Sequence, residues 1–304
     1  MKVGFIDYYL DEWHANNYPA MLKEHSNGAL EVTCAYGMIP SPISGKTSEE
    51  WCQEYGIELC RTIEEVIAKS DVLVVLSPDN CEMHETLAKL PLQSGKRTYI
   101  DKTFAPSKEA AQSIFAVAEE NNTACWSSSA LRFAAEYQPL IDMTADAASL
   151  KGPNNFETYS IHQLEPMIML MKGNVGRVMA LPAKEGAHLL FEWIDGRMAS
   201  LICTGGSAPF TADLCYGEEN KHIQVNSDFF GAFIDALVCF FETGEVPVSH
   251  QETIEIMAVR EAGLHAFEEP GRYLQSFDAY CLQKDESSSS KRHQGYCILQ
   301  QSVV

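Results

Sequence analysis

The sequence predicts an α/β protein in which an N-terminal, doubly wound parallel sheet is followed by an α+β domain with an open, mostly antiparallel sheet. Up to residue 126, short apolar runs alternate with helix-periodic segments, the rhythm of a parallel sheet covered by helices on both faces. After Ser127, strand-like runs follow one another with few helices between them, and Asp195-Gly196 marks a tight antiparallel hairpin.

Residues 3–6 form the first strand and 14–24 the first helix. A strand over 30–36, a helix opened by Ser48 and a strand over 57–60 come next, then a helix opened by the capping box Thr62-Ile63-Glu64-Glu65. Val72-Leu73-Val74-Val75-Leu76 is too short for a helix and β-branched enough for a strand buried on both faces. Ser77-Pro78-Asp79-Asn80 stops it, 81–90 has helical spacing, Gly95 ends that crossover, and Thr98-Tyr99-Ile100 is the next strand. This strand delivers Asp101-Lys102-Thr103 to the carboxyl edge of the sheet, where ligands of open α/β sheets bind. A solvated surface lysine is the bland alternative. Ser107 caps a helix with Ile114, Phe115 and Ala118 on one face, and 123–126 closes the sheet.

In the second half, a helix is expected over 130–143. Hairpins follow over 188–194 with 197–203 and over 210–216 with 222–225. Then come a helix with Phe229, Phe233, Leu237 and Phe241 on a stripe, and another over about 251–268. The domains are therefore expected at 1–126 and 127–275. Residues 276–304, with four consecutive serines and no periodicity, are expected to be a loosely ordered tail.

The formal net charge of -20 argues against nucleic acid and anionic membranes as partners, because such binding rests on neutralising phosphates with lysine and arginine. Asp7, Asp11 and Glu12 do not suit a secretory signal, and the apolar run 229–241 is broken by Asp235, so a cytoplasmic location is expected. The ten cysteines include no C-x-x-C pair and are expected to be reduced and mostly buried.

Ser77-Pro78, His84, Gly95-Lys96, Asp101-Lys102-Thr103, Leu131-Arg132-Phe133 and His162 follow one another in a telling order. On these residues the chain resembles the glucose-fructose oxidoreductase and inositol dehydrogenase family (Gfo/Idh/MocA), over about residues 1–275. In that family the fourth strand ends in a Thr-Pro-like turn, a histidine follows in the next helix, and a lysine lies in a Glu-Lys-Pro tripeptide. Here the tripeptide is Asp-Lys-Thr. The resemblance implies a Rossmann-type dinucleotide-binding domain and hydride transfer between a sugar, cyclitol or polyol hydroxyl and NAD or NADP. It implies catalytic roles for Lys102, His162 and Glu165, with Leu10, Ser77, Pro78, Asn80, His84, Asp101 and Lys102 at the cofactor. The family often has an aspartate four residues before its histidine and another three after it, where this chain has Thr158 and Glu165. An imidazole suits proton transfer near neutral pH, an ammonium group stabilises a developing alkoxide, and Glu165 is expected to orient the His162 ring. An ordinary histidine at a strand end is the alternative. An exposed face of the second sheet favours a homo-oligomer, a dimer or tetramer.

One feature opposes a simple dehydrogenase. The first strand should lead into a Gly-x-Gly-x-x-Gly turn that lets the backbone approach a pyrophosphate at a helix N-terminus. This chain instead places Asp7, Tyr9 and Glu12 at the three glycine positions. A tyrosine ring takes space there and the carboxylates repel phosphate, so NAD or NADP is expected to bind weakly. The second strand ends in Tyr36-Gly37 and does not distinguish the two dinucleotides, and the loop over 37–46 is a candidate cover for a different ligand.

Cys81 with His84, or His162 and Glu165 with His14 or His188, are the only metal-like pairings, and no metal is expected. Thr204-Gly205-Gly206-Ser207 reads as a turn and not a nucleophile elbow. Two alternatives stand beside the oxidoreductase. One is a non-catalytic, carbohydrate- or subunit-binding member of the fold with a degraded nicotinamide site. The other is a lyase or isomerase with a tightly held cofactor.

Overall fold

Six strands, β1 (Lys2–Asp7), β2 (Glu31–Gly37), β3 (Glu58–Leu59), β4 (Val72–Val75), β5 (Thr98–Ile100) and β6 (Cys125–Trp126), form one parallel sheet. Their order is β3-β2-β1-β4-β5-β6, so the winding reverses between β1 and β4, and it is outside the carboxyl ends at that switch that such sheets bind ligands. Every residue of β4 is buried, as its unbroken apolar run requires of a central strand covered on both faces. The crossovers are α1 (Trp13–His25), α2 (Ser48–Tyr55), α3 (Ile63–Lys69), α4 (His84–Gln93) and α5 (Lys108–Glu120). The structure is a computed structural model, and it describes residues 1–276.

Side chains fix where these helices begin. Thr47, one residue before the expected start, makes a full capping box with Glu50 and opens α2. Thr62 accepts from the Glu65 amide, but the Glu65 carboxylate reaches the Arg61 amide, so only half of the expected box forms at α3. Ser107 caps α5 as expected.

The second half builds a seven-stranded sheet from β7 (Ala147–Gly152), β8 (Val175–Leu181), β9 (Ala187–Trp193), β10 (Met198–Cys203), β11 (Thr211–Tyr216), β12 (Glu219–Gln224) and β13 (Leu274–Gln275), in the order β12-β11-β7-β10-β9-β8-β13. All neighbours are antiparallel except β7 and β10. Alternate residues such as Val178, Leu189, Phe191 and Leu201 are buried beneath α7 (Ile161–Met171) and α9 (His250–Ala266), while their neighbours face outward. A single turn, α6 (Phe156–Tyr159), leads into α7.

Two expectations fail here. The helix expected over 130–143 is two short 3-10 turns, Ala130–Phe133 and Gln138–Leu140. Pro139 lacks the N–H that a continuous helix needs and its ring clashes with the preceding turn. Helix α7, in turn, was not expected at all. All but one of its residues are buried, so its sequence carries no amphipathic stripe, and Pro166 within it reads as a breaker.

Helix α8 (Phe229–Thr243) leaves the second sheet and packs on α1. Phe233 meets the rings of Tyr18, Tyr99, Trp126, Phe133 and Phe230, which ties this late helix into the core of the first sheet. Among the described residues no helix is long and apolar enough to cross a membrane. The expected tail lies, from residue 277 on, outside the described residues.

Candidate active site

The turns after β1, β4 and β5 meet the N-terminal ends of α7 and α8 around a cavity of about 380 Å³. Glu12, His14, Asp79, Lys102 and His162 supply its polar groups, and Trp13, Tyr159, Phe210, Phe229 and Phe230 its aromatic walls. An apolar pocket with a few converging polar groups is the usual form of a small-molecule site. Lys102 follows β5, its ammonium makes no hydrogen bond or ion pair among the described residues, and a cis peptide joins it to Thr103.

Asp101 sits directly beneath the cavity and is fully buried. Its Oδ1 accepts from the Tyr99 hydroxyl at 3.1 Å and from the Lys102 amide at 2.8 Å, and its Oδ2 is bonded to His14 Nδ1. Burial alone raises its pKa, but the neighbouring His14 and Lys102 outweigh that and hold the carboxyl below its ordinary value. His14 stacks on Tyr18 with ring centroids 5.0 Å apart.

His162 lies in the first turn of α7, not at a strand end, and its Nδ1 is 2.7 Å from Ser129 Oγ. Burial, then the neighbouring Lys102 and His14, push its pKa down to about 3, so the ring is neutral at physiological pH. Pro166 has no amide to offer the His162 carbonyl one helical turn back. Glu165 does not touch His162. It accepts from Ser128 Oγ at 3.1 Å, the Ser129 amide at 3.1 Å and Arg132 at 3.2 Å, so it reaches the imidazole only through Ser129. Burial raises its pKa to about 7 despite the arginine. A larger cavity of about 540 Å³ lies on the far side of Arg132 and shares no lining residue with the first.

The residues expected at the cofactor fall into two groups. Pro78 and Lys102 line the cavity, whereas Leu10, Ser77, His84 and Asp101 are buried and Asn80 turns to Glu82. His84 spans the Leu76 carbonyl at 2.6 Å and the Phe104 carbonyl at 2.8 Å, which clamps the turn after β4 to the loop carrying Lys102. Its ring is held inside the protein, away from the cavity. The sequence suggested His14 only as a possible metal partner of His162 and Glu165 and gave no sign of its pairing with Asp101, of Trp13 or of the aromatic wall from α8. The motif Trp13-His14 carried no spacing signal, and the α8 phenylalanines were read only as a core stripe.

The turn after β1 decides how a dinucleotide fits. The carboxylate of Glu12 caps α1 by accepting the His14 amide at 2.7 Å and the Ala15 amide, the N–H groups that a pyrophosphate uses in such folds. Tyr9 and Leu10 are buried in the same turn, and a Cβ on Gly37 would come within 3.1 Å of Leu10 Cγ. Burial and the neighbouring Asp79 push the Tyr9 phenol up to about 12. Asp7 is fully buried; the Tyr8 and Tyr9 amides approach its oxygens without closing a well-formed hydrogen bond, and burial followed by Glu12 holds its pKa well above the carboxylate range. The loop over 37–46 folds onto this turn, with Ser44 Oγ 2.6 Å and Lys46 Nζ 3.3 Å from the Asp11 carboxylate. These residues do not fit a pyrophosphate held at the start of α1.

Residues 14–129 match the Gfo/Idh/MocA model, described as an oxidoreductase family with an NAD-binding Rossmann fold. The match runs from the start of α1 to the turn after β6. The match starts at His14, just past the turn that has lost its glycines. A probable dehydrogenase from Thermotoga maritima superposes with a TM-score of 0.75 over 92% of this chain and 100% of its own, at 11% identity. The scyllo-inositol dehydrogenase of Lactobacillus casei, with bound NAD(H) and scyllo-inositol, gives 0.73 over 90% and 98% at 14% identity. The WlbA dehydrogenase of Bordetella pertussis, in complex with NADH and UDP-GlcNAcA, gives 0.70 over 90% and 96% at 14% identity. At these identities the likeness shows the fold. No curated protein matches the sequence.

Proposed function

We propose that the protein is an enzyme acting at a hydroxyl-bearing carbon of a sugar, cyclitol or related polyol, with Lys102 and His162 at the reacting oxygen. The observation that carries this is the convergence of the Lys102 ammonium and the neutral His162 ring on one aromatic-walled cavity. Apolar C–H faces of a sugar ring suit the walls from Trp13, Phe210 and Phe230, and its oxygens suit the polar floor. The solved structures with scyllo-inositol and with a nucleotide sugar support this substrate class.

Lys102 stabilises negative charge on the substrate oxygen, and His162 exchanges a hydrogen bond or proton with it. NAD or NADP is the hydride partner of the family's oxidation. Because the turn after β1 does not fit the pyrophosphate, no step is assigned to a dinucleotide, and any that binds is held weakly.

The test is a screen of sugars, cyclitols and polyols by proton NMR, with and without NAD or NADP, on the wild type and Lys102→Ala. Turnover that falls about a hundredfold or more in Lys102→Ala, with thermal stability kept, is the expected result. Absence of turnover under every condition would refute the enzyme and leave the non-catalytic binding protein.

A further inference from the structure

We propose that His14, oriented by Asp101, is the general base of this cavity and serves a redox-neutral enolisation of a sugar-sized hydroxy-carbonyl compound, without a dinucleotide. The inference rests on the cavity being a sugar or polyol site and adds to it a base and a reaction type.

Hydrogen-bond accounting fixes the two imidazoles in opposite senses. Asp101 is an ionised acceptor whose second oxygen is already filled by Tyr99 and the Lys102 amide, so His14 carries its proton on Nδ1. In the neutral ring, His14 Nε2 then holds a lone pair, and it has no partner among the described residues. Stacking on Tyr18 and the edge contact with Trp13 at 5.4 Å hold the ring in place. His162 is set the other way. Ser129 Oγ accepts the Leu131 amide at 3.2 Å and has no hydrogen-bond acceptor among the described residues other than His162 Nδ1, so it donates there and leaves the His162 proton on Nε2. The cavity thus has a base on the side of α1 and a neutral donor on the side of α7, with the Lys102 ammonium also on its wall. A base, a neutral imidazole and a cation are the parts needed to draw a proton from the carbon beside a carbonyl.

The step balances without an oxidant or reductant. His14 Nε2 removes the proton from the hydroxyl-bearing carbon next to the carbonyl, and the C–H electron pair becomes the carbon–carbon double bond of an enediolate. The charge that collects on the carbonyl oxygen faces Lys102 and the His162 N–H. His162 passes its proton to that oxygen and takes the neighbouring hydroxyl proton in exchange. Return of the first proton from His14 to the former carbonyl carbon gives the isomeric hydroxy-carbonyl compound. The amides at the start of α1 that a pyrophosphate would use are taken by Glu12, and Tyr9 is buried in the same turn.

Dinucleotide-free protein in D₂O is incubated with aldohexoses, aldopentoses, ketohexoses and inososes, and loss of the proton beside the carbonyl is followed by proton NMR. The wild type should exchange that proton, and folded His14→Gln should be slower by about a hundredfold or more. Asp101 is a positioning residue: in Asp101→Asn the amide donates to His14 Nδ1 and reverses the tautomer, so kcat should fall while KM is kept. Exchange that is absent from the wild type with every probe, or that survives in either variant, would overturn the proposal. If turnover instead requires NAD or NADP and persists in His14→Gln, this inference falls and the sugar site stands. If neither exchange nor turnover occurs, both fall.

Discussion

Asp7 stands where the family's first glycine would be, with its side chain fully inside the protein. Its carboxyl is buried without a well-formed hydrogen bond, so the folded protein keeps it protonated well above the pH at which the unfolded chain ionises it. The sign follows directly. Stability is full below the unfolded pKa of about 4 and is lost as pH rises toward the raised folded value. Asp7→Asn does not titrate, so its melting temperature should match the wild type near pH 4 to 5 and exceed it at pH 8. The excess should be about 2–4 °C for each kcal/mol recovered. A difference that stays constant with pH would remove the buried proton from the account. At this scale the sequence singled out Lys102 and His162 from an ordered set of family-like residues, and the structure places both on the wall of one cavity. The sequence offered His14 only as a possible metal partner of His162 and Glu165, not as the partner of Asp101, and it expected Glu165 to touch the imidazole directly. The link from Glu165 to the imidazole through Ser129 is a tertiary contact with no fixed spacing, and the pairing of His14 with Asp101 joins residues 87 positions apart.

The elements of the first sheet were legible because a fully buried strand and an amphipathic crossover helix leave different periods. The βα rhythm predicts a doubly wound parallel sheet but not its strand order, which the structure supplies. Where burial is nearly complete, as in α7, the helical period vanishes, and where a proline interrupts, as at Pro139, a plausible helix becomes two single turns. Helix α8 was read correctly as an element, but not as the piece that joins the late chain to the first sheet. Its packing makes a direct prediction. Phe233→Ala removes a ring that touches five others in the core and should cost about 3–5 kcal/mol in chemical denaturation. A loss below about 1 kcal/mol would mean that α8 is not anchored by this ring.

For the molecule as a whole, the fold of an NAD-binding oxidoreductase family is kept while the part of it that grips a pyrophosphate has been rebuilt from inside. The Glu12 carboxylate occupies the amides at the start of α1, and the loop over 37–46 is tied to Asp11 beside it. The cavity beyond that turn retains a cation and two imidazoles. A family-level reading of the sequence gives the architecture, and the altered turn warns that the usual cofactor chemistry does not carry over unchanged. Calorimetric titration of NAD and NADP into the purified protein, beside a Tyr9→Gly/Glu12→Gly double variant, tests this most directly. The wild type should show no sub-micromolar binding, and the variant, once its α1 amides are freed, should bind more tightly. Sub-micromolar affinity in the wild type, or unchanged affinity in a well-folded double variant, would contradict a self-occupied pyrophosphate site.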